Sequence, residues 1–119
     1  MFTIKIRNEF SSAHNLRGYK GKCENLHGHN WKVEAEISKE NLDKCGMVRD
    51  FRDIKKYLSE ILERLDHKHI NNLAYFKKHN PTSENIAKYI YDSLKKHFEG
   101  LVQVTVWESD NSSASYRET

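Results

Sequence analysis

The sequence predicts an α+β fold, a four-stranded antiparallel sheet with two helices on one face in the order β-β-α-α-β-β. Three observations carry that expectation. Apolar residues alternate with period two near both ends of the chain, the period lengthens to three-and-four between them, and turn residues separate the segments. Phe2, Ile4, Ile6 and Phe10 alternate with Thr3, Lys5, Arg7 and Glu9, which gives a half-buried first strand. Trp31, Val33, Ala35 and Ile37 alternate with Lys32, Glu34, Glu36 and Ser38, which gives the second. The stretch from Asn15 to Asn25, with Gly18 and Gly21, is a long connection of the kind that often carries function.

From Asp50, a plausible N-cap, Phe51, Ile54, Tyr57, Leu58, Ile61, Leu62 and Leu65 follow the spacing of an amphipathic helix. A polar connection with Asn71, Asn72, Lys77, Lys78 and Pro81 comes next. Thr82 or Ser83 then caps a second helix with Ile86, Ala87, Ile90, Leu94 and Phe98 inward, and Gly100 marks its end. Val102, Val104 and Val106 alternate again, and Ser113 to Arg117 form a last strand after the Asp110-Asn111-Ser112 turn.

At 119 residues the chain is expected to be a single domain, residues 1–119, with no repeat and no low-complexity segment. Charged residues are 31% and hydrophobic residues 37%, with no apolar run near spanning length. The opening Met1-Phe2-Thr3-Ile4-Lys5-Ile6 alternates like a strand and does not read as a signal peptide. Two cysteines then suit a reducing, cytoplasmic setting without a Cys23–Cys45 disulfide. The net charge of +3 is modest and the lysines are dispersed, so neither nucleic acid nor a membrane is an expected partner. Seven histidines are the one excess.

Cys23-Glu24-Asn25-Leu26-His27-Gly28-His29, with His14 upstream, concentrates three imidazoles and a thiol. Side chains two apart on a strand point to one side, so His27 and His29 can aim at a common point, with Gly28 permitting close backbone approach. His14, at the end of the first strand, falls near the same end of the hairpin. Three neutral imidazoles with no ligating carboxylate suit zinc and leave a fourth position open, as at catalytic sites; nickel and copper share the ligand preference. Cys23 reads either as a reactive thiol whose pKa falls near a dication or as a fourth ligand closing a structural site. Cys45 is incidental.

Further positions are weighed singly. Asp66 can orient His67, although a histidine at a helix end also complements the dipole. Glu108, after the apolar run Val102–Val106, offers two acceptor oxygens to a flat pair of N–H donors or sits on a rim. Thr82 and Ser83 are most simply cap residues whose neighbouring free N–H groups can also meet a ligand. His69, His79 and His97 read as surface residues.

Taken in order, the segments Phe10-Ser-Ser-Ala-His14, Cys23-x-x-x-His27-Gly-His29, Gly46-Met-Val-x-Asp50-Phe51, Leu65-Asp-His67, Pro81-Thr-Ser-Glu-Asn85 and Val106-Trp-Glu-Ser109 resemble the 6-pyruvoyltetrahydropterin synthase/6-carboxytetrahydropterin synthase family over nearly the whole chain. The resemblance implies a tunnelling fold (T-fold), assembly into trimers or hexamers, and active sites between subunits. It implies Zn2+ held by His14, His27 and His29, with Cys23 as proton acceptor and Asp66 and His67 as acid–base partners. Glu108 would grip the pterin, and Thr82 and Ser83 would line its pocket. The implied substrate is 7,8-dihydroneopterin triphosphate. The short spacer between Cys23 and His27 resembles the carboxy-forming enzymes of the queuosine (7-deazaguanine) route. Glu24 keeps the folate-branch side-chain lyase open beside the pyruvoyl-forming enzyme. Arg17, Lys20, Lys22 and Arg49 are candidates for the triphosphate.

Overall fold

The computed structural model describes residues 1–21 and 24–119. Strand β1 (Phe2–His14) and strand β2 (His27–Lys39) pair antiparallel along their full length, from Phe2 opposite Lys39 to His14 opposite His27. Strand β3 (Leu101–Ser109) pairs with β2, and β4 (Ser112–Tyr116) pairs with β3, so the four strands lie in sequence order. Helices α1 (Phe51–Glu63) and α3 (Ser83–Lys95) intervene between β2 and β3. The predicted sheet and its two long helices are the architecture observed.

Alternation decides which face of the sheet meets the helices. On β1 the inward residues include Ile6, Phe10, Ser12 and His14; on β2 they include Trp31, Val33, Ala35 and Ile37. Because Phe10 pairs with Trp31 and Ser12 with His29, even positions on β1 and odd positions on β2 share one face. Ile54, Leu58, Ile61 and Leu62 of α1 and Ile86, Ala87, Ile90, Tyr91 and Leu94 of α3 close the core over it. Asp50 caps α1 by accepting from Arg52 N, and Thr82 caps α3 by accepting from Asn85 N at 3.1 Å.

Three expectations need correction. The connection between the long helices is not merely polar: it holds a 3-10 turn (Ile70–Asn72) and a short helix, α2 (Ala74–Lys78), whose Phe76 is fully buried. Two apolar anchors among polar neighbours leave no long periodic signal. Phe51, assigned to the inner face of α1, is half exposed because the first helical residue lies beyond the core's edge. Gly100 does not end α3, which stops at Lys95. It is needed where β3 begins, since a Cβ there would lie 2.7 Å from the Ser38 carbonyl oxygen.

Candidate metal and active site

The parity that builds the core also builds the site. His14, His27 and His29 continue the inward rows of β1 and β2 past Phe10 and Trp31, at the end of the hairpin beside the entry to α3. Trp31 is fully buried and meets His14 edge-on at 4.8 Å and His29 at 5.0 Å between ring centroids, a rigid apolar floor beneath both rings. Its indole N–H donates to the Ser12 carbonyl at 3.2 Å. Gly28 is less demanding than expected: a Cβ there would find only the Ser12 carbonyl, at 3.7 Å.

A fourth side chain joins the imidazoles. Glu108 Oε1 stands 3.0 Å from His29 Nε2 and 3.3 Å from His14 Nε2, and the four candidate donor atoms all lie within 4.8 Å of one another. The expectation that no carboxylate belongs to the cluster is therefore corrected. Glu108 is two residues beyond Val106 on the same strand, and it falls at the irregularity where Trp107 pairs with Ser113 but Ser109 with Ser112. An extra residue at such a bulge re-aims its side chain. The alternation of Val104 and Val106 signalled the inward face, but not the register that brings this position to His29.

The hydrogen bonds around the rings fit a cation. His14 Nδ1 lies 2.7 Å from the Pro81 carbonyl oxygen and His27 Nδ1 lies 2.7 Å from that of Asn25. Both δ nitrogens must donate, so both ε nitrogens present lone pairs, and these face each other at 3.0 Å. Two lone pairs at that distance repel unless a positive charge sits between them. His29 Nε2 is buried and has no well-directed hydrogen-bond partner. Burial holds the His14 imidazole below its usual pKa, against the pull of the Pro81 carbonyl and Glu108, and burial does the same to His29. Neutral nitrogens locked into one tautomer by carbonyl acceptors are what a metal ligand set requires. Three nitrogens and one oxygen of this kind suit a borderline transition metal.

Asp66 and His67 form a separate group on the other side of β1. Asp66 accepts the Ser11 N–H at 2.8 Å through Oδ1 and holds His67 Nδ1 at 2.8 Å through Oδ2, and the Ser11 N–H first, then His67, keep its carboxyl below the usual range. His67 has φ 54°, the left-handed region, which disfavours a non-glycine residue by roughly 1–2 kcal/mol. Its side chain is 82% exposed, and among the described residues no hydrogen bond joins it to the three imidazoles. Thr82 and Ser83 do reach the cluster's neighbourhood, because Pro81, whose carbonyl meets His14, directly precedes them. Cys23, like Lys22, lies outside the described residues.

The remaining candidates separate cleanly. Arg17 spends its guanidinium on the Phe76 carbonyl at 2.6 Å, and Arg49 lies beside Lys39 at the far end of the sheet, stacked on Phe98 and paired with Asp53. Twelve strand steps of roughly 3.3 Å put that end about 40 Å from His27. Within one subunit Arg49 is therefore remote from the imidazoles, whereas Arg17 stays near them, its backbone N–H bound to Asn80 beside Pro81. His79 and His97 are exposed and stack on Tyr75 and Tyr57. His69 is not a plain surface residue: it is half-buried, bridges Ala13 and meets Asn15 Oδ1 at 3.1 Å.

A half-buried three-histidine cluster with a carboxylate, open at the rim of a four-stranded sheet backed by helices, defines a metal-capable enzyme site. The 6-pyruvoyl tetrahydropterin synthase family model matches residues 3–119, and the chain belongs to that family of enzymes of pterin metabolism. It is 40% identical over 117 residues to a putative 6-carboxy-5,6,7,8-tetrahydropterin synthase of Archaeoglobus fulgidus, covering 96% of this chain and 94% of the relative. It is also 40% identical to the human 6-pyruvoyl tetrahydrobiopterin synthase, over 90% of this chain and 77% of that one. The solved structure of the Caenorhabditis elegans 6-pyruvoyl tetrahydropterin synthase superposes with a TM-score of 0.91 at 30% identity, covering 99% and 96% of the two chains. The T-fold implied by the sequence motifs is thereby shown.

Proposed function

We propose that the protein is a zinc-dependent 6-carboxy-5,6,7,8-tetrahydropterin synthase that converts 7,8-dihydroneopterin triphosphate and water to 6-carboxytetrahydropterin, acetaldehyde and triphosphate. The observation that carries the zinc assignment is the pair of facing ε nitrogens on His14 and His27, completed by the orphaned Nε2 of His29. The near full-length match to the Archaeoglobus relative, together with the four-residue step from Cys23 to His27, supports the carboxy-forming branch.

His14, His27 and His29 hold the metal, which when bound supplies Lewis acidity to side-chain oxygens of the substrate. Cys23, as thiolate, accepts a proton from the substrate side chain. Asp66 holds His67 in one orientation through Nδ1, and His67 returns a proton. Glu108 has Oε1 turned to the imidazoles, so the two-oxygen grip on a pterin edge would narrow to Oε2. Thr82 commits its hydroxyl to the cap, which leaves Ser83 and the open helix N-terminus to meet the ring. Assembly into trimers or hexamers with sites between subunits is part of this reading. The exposure of His67, and the outer edges of β1 and β4 at the two ends of the strand order, support it.

Product identification tests the proposal. Zinc-loaded protein incubated with dihydroneopterin triphosphate should release acetaldehyde and form the carboxypterin. Retention of a pyruvoyl side chain would assign the protein to the biopterin branch, which the equal identity to the human relative favours as the second reading. Glycolaldehyde would assign it to the folate branch.

A further inference from the structure

We propose that Ser12 is a positioning residue that clamps the turn carrying Asp66 and His67 onto the strand carrying the metal ligands. The inference rests on the reading of Asp66 and His67 as an acid–base pair, and it assigns the device that holds that pair in place.

Ser12 is a buried polar residue. Inward positions on β1 run Ile6, Asn8, Phe10, Ser12; Asn8 is only half-buried, whereas Ser12 is 7% exposed, so packing alone would favour alanine or a larger apolar side chain. Its hydroxyl is fully used. It donates to the Leu65 carbonyl and accepts the Lys68 N–H at 3.2 Å, and so bridges the two ends of the turn that contains Asp66 and His67. The neighbouring bonds are the Ser11 N–H to Asp66, the His67 N–H to the Ser11 carbonyl at 2.6 Å, and the Ala13 N–H to the Lys68 carbonyl at 3.0 Å. On the β1 side those three use only backbone groups, which any residue except proline supplies. Among the described residues, the Ser12 hydroxyl makes the hydrogen bonds from β1 to this turn that depend on side-chain identity.

The turn needs such a clamp because His67 is left-handed at φ 54°, a conformation that persists in a non-glycine residue only when its surroundings over-determine it. Ser12 also touches the other half of the site. It pairs with His29 across the hairpin, lies two residues from His14 on the same face, and its carbonyl receives the indole N–H of Trp31. One residue therefore sets the metal cluster's floor through its carbonyl and the proton-transfer turn through its hydroxyl.

Ser12→Ala keeps the carbonyl and removes the hydroxyl, so it separates the two roles. In the zinc-loaded, assembled protein we expect unchanged metal stoichiometry and KM. We expect kcat to fall by about tenfold to a hundredfold, the range a displacement near 1 Å produces, with an altered pH profile of kcat. Ser12→Thr, which retains the hydroxyl, should restore both. Independently of turnover, the Lys68 amide should be protected from hydrogen exchange in the parent protein and lose that protection in Ser12→Ala. Should the alanine variant not fold, Ser12→Cys, similar in volume but a weak donor, is read in its place. Wild-type kcat and pH profile in the variant would overturn the proposal, as would a kcat loss that only tracks lost zinc. If the parent protein forms no pterin product, the functional reading fails instead, while the Lys68 exchange still decides whether the clamp exists.

Discussion

His14 is the most constrained of the three imidazoles. It is 1% exposed, its Nδ1 is committed to the Pro81 carbonyl, and its ring is wedged between Trp31 and His27. Replacing a ligand so enclosed removes both the metal contact and the packing, whereas Cys23 offers a cleaner test at the scale of one residue. If its thiolate is a proton acceptor, Cys23→Ala should retain a full complement of zinc by elemental analysis while turnover falls by about 10² or more. If the thiol instead closes a structural site with the three histidines, metal and fold are lost together. Glu108 teaches a related lesson. A carboxylate oxygen 3.0 Å from His29 Nε2 turns three ligands into four candidate donors.

Among the elements, the start of β3 lies tight against the end of β2. The Ser38 N–H donates to the Gly100 carbonyl at 3.0 Å, and a Cβ on Gly100 would lie 2.7 Å from the Ser38 carbonyl oxygen and 3.4 Å from Ile37 Cγ2. Neither neighbour is the end of a flexible side chain, so the strand itself must shift. Gly100→Ala should destabilise the fold by about 1–3 kcal/mol, the usual penalty for overpacking. The check is chemical denaturation, and a midpoint equal to the parent's would refute the account. The effect should leave zinc content intact, because the imidazoles sit at the opposite end of β2. Helix α2 shows the converse: five residues with little propensity to stand alone are held by Phe76 in the core.

For the whole molecule, the buried imidazoles link folding to pH. His14 and His29 have pKa values below the ordinary 6.5, through burial first, in a setting shared with His27 and Glu108. The unfolded chain therefore binds protons that the metal-free native state refuses. Above about 6.5 both states are neutral and the contribution vanishes; as pH falls below that value the native state is progressively disfavoured. Asp66 has the opposite relation, its lowered carboxyl stabilising the fold above 3.8 and losing that contribution only in stronger acid. Denaturant midpoints of metal-free protein should thus drop between pH 7 and 5, and bound zinc should raise them at pH 7 and steepen the drop, because its ligands must stay deprotonated. A level profile without metal would contradict the burial argument. Sedimentation should find trimers or hexamers at micromolar concentration if β1 and β4 join across subunits; a monomer would remove the interfacial sites.

Local pattern was enough for much of this protein. Period two placed His27 and His29 on the face of Trp31, and the three-and-four spacing located both long helices, because parity and helical period are properties of neighbouring residues. The cap at Thr82 was legible for the same reason. Contacts between distant segments were not. That Glu108 meets His29 depends on the β2–β3 register and a bulge, that Pro81 orients His14 depends on where α3 docks, and that His67 turns left-handed depends on Ser11 and Ser12 some 55 residues earlier. Each is decided by packing of elements whose separation along the chain leaves no periodic trace, so only the folded molecule carries it.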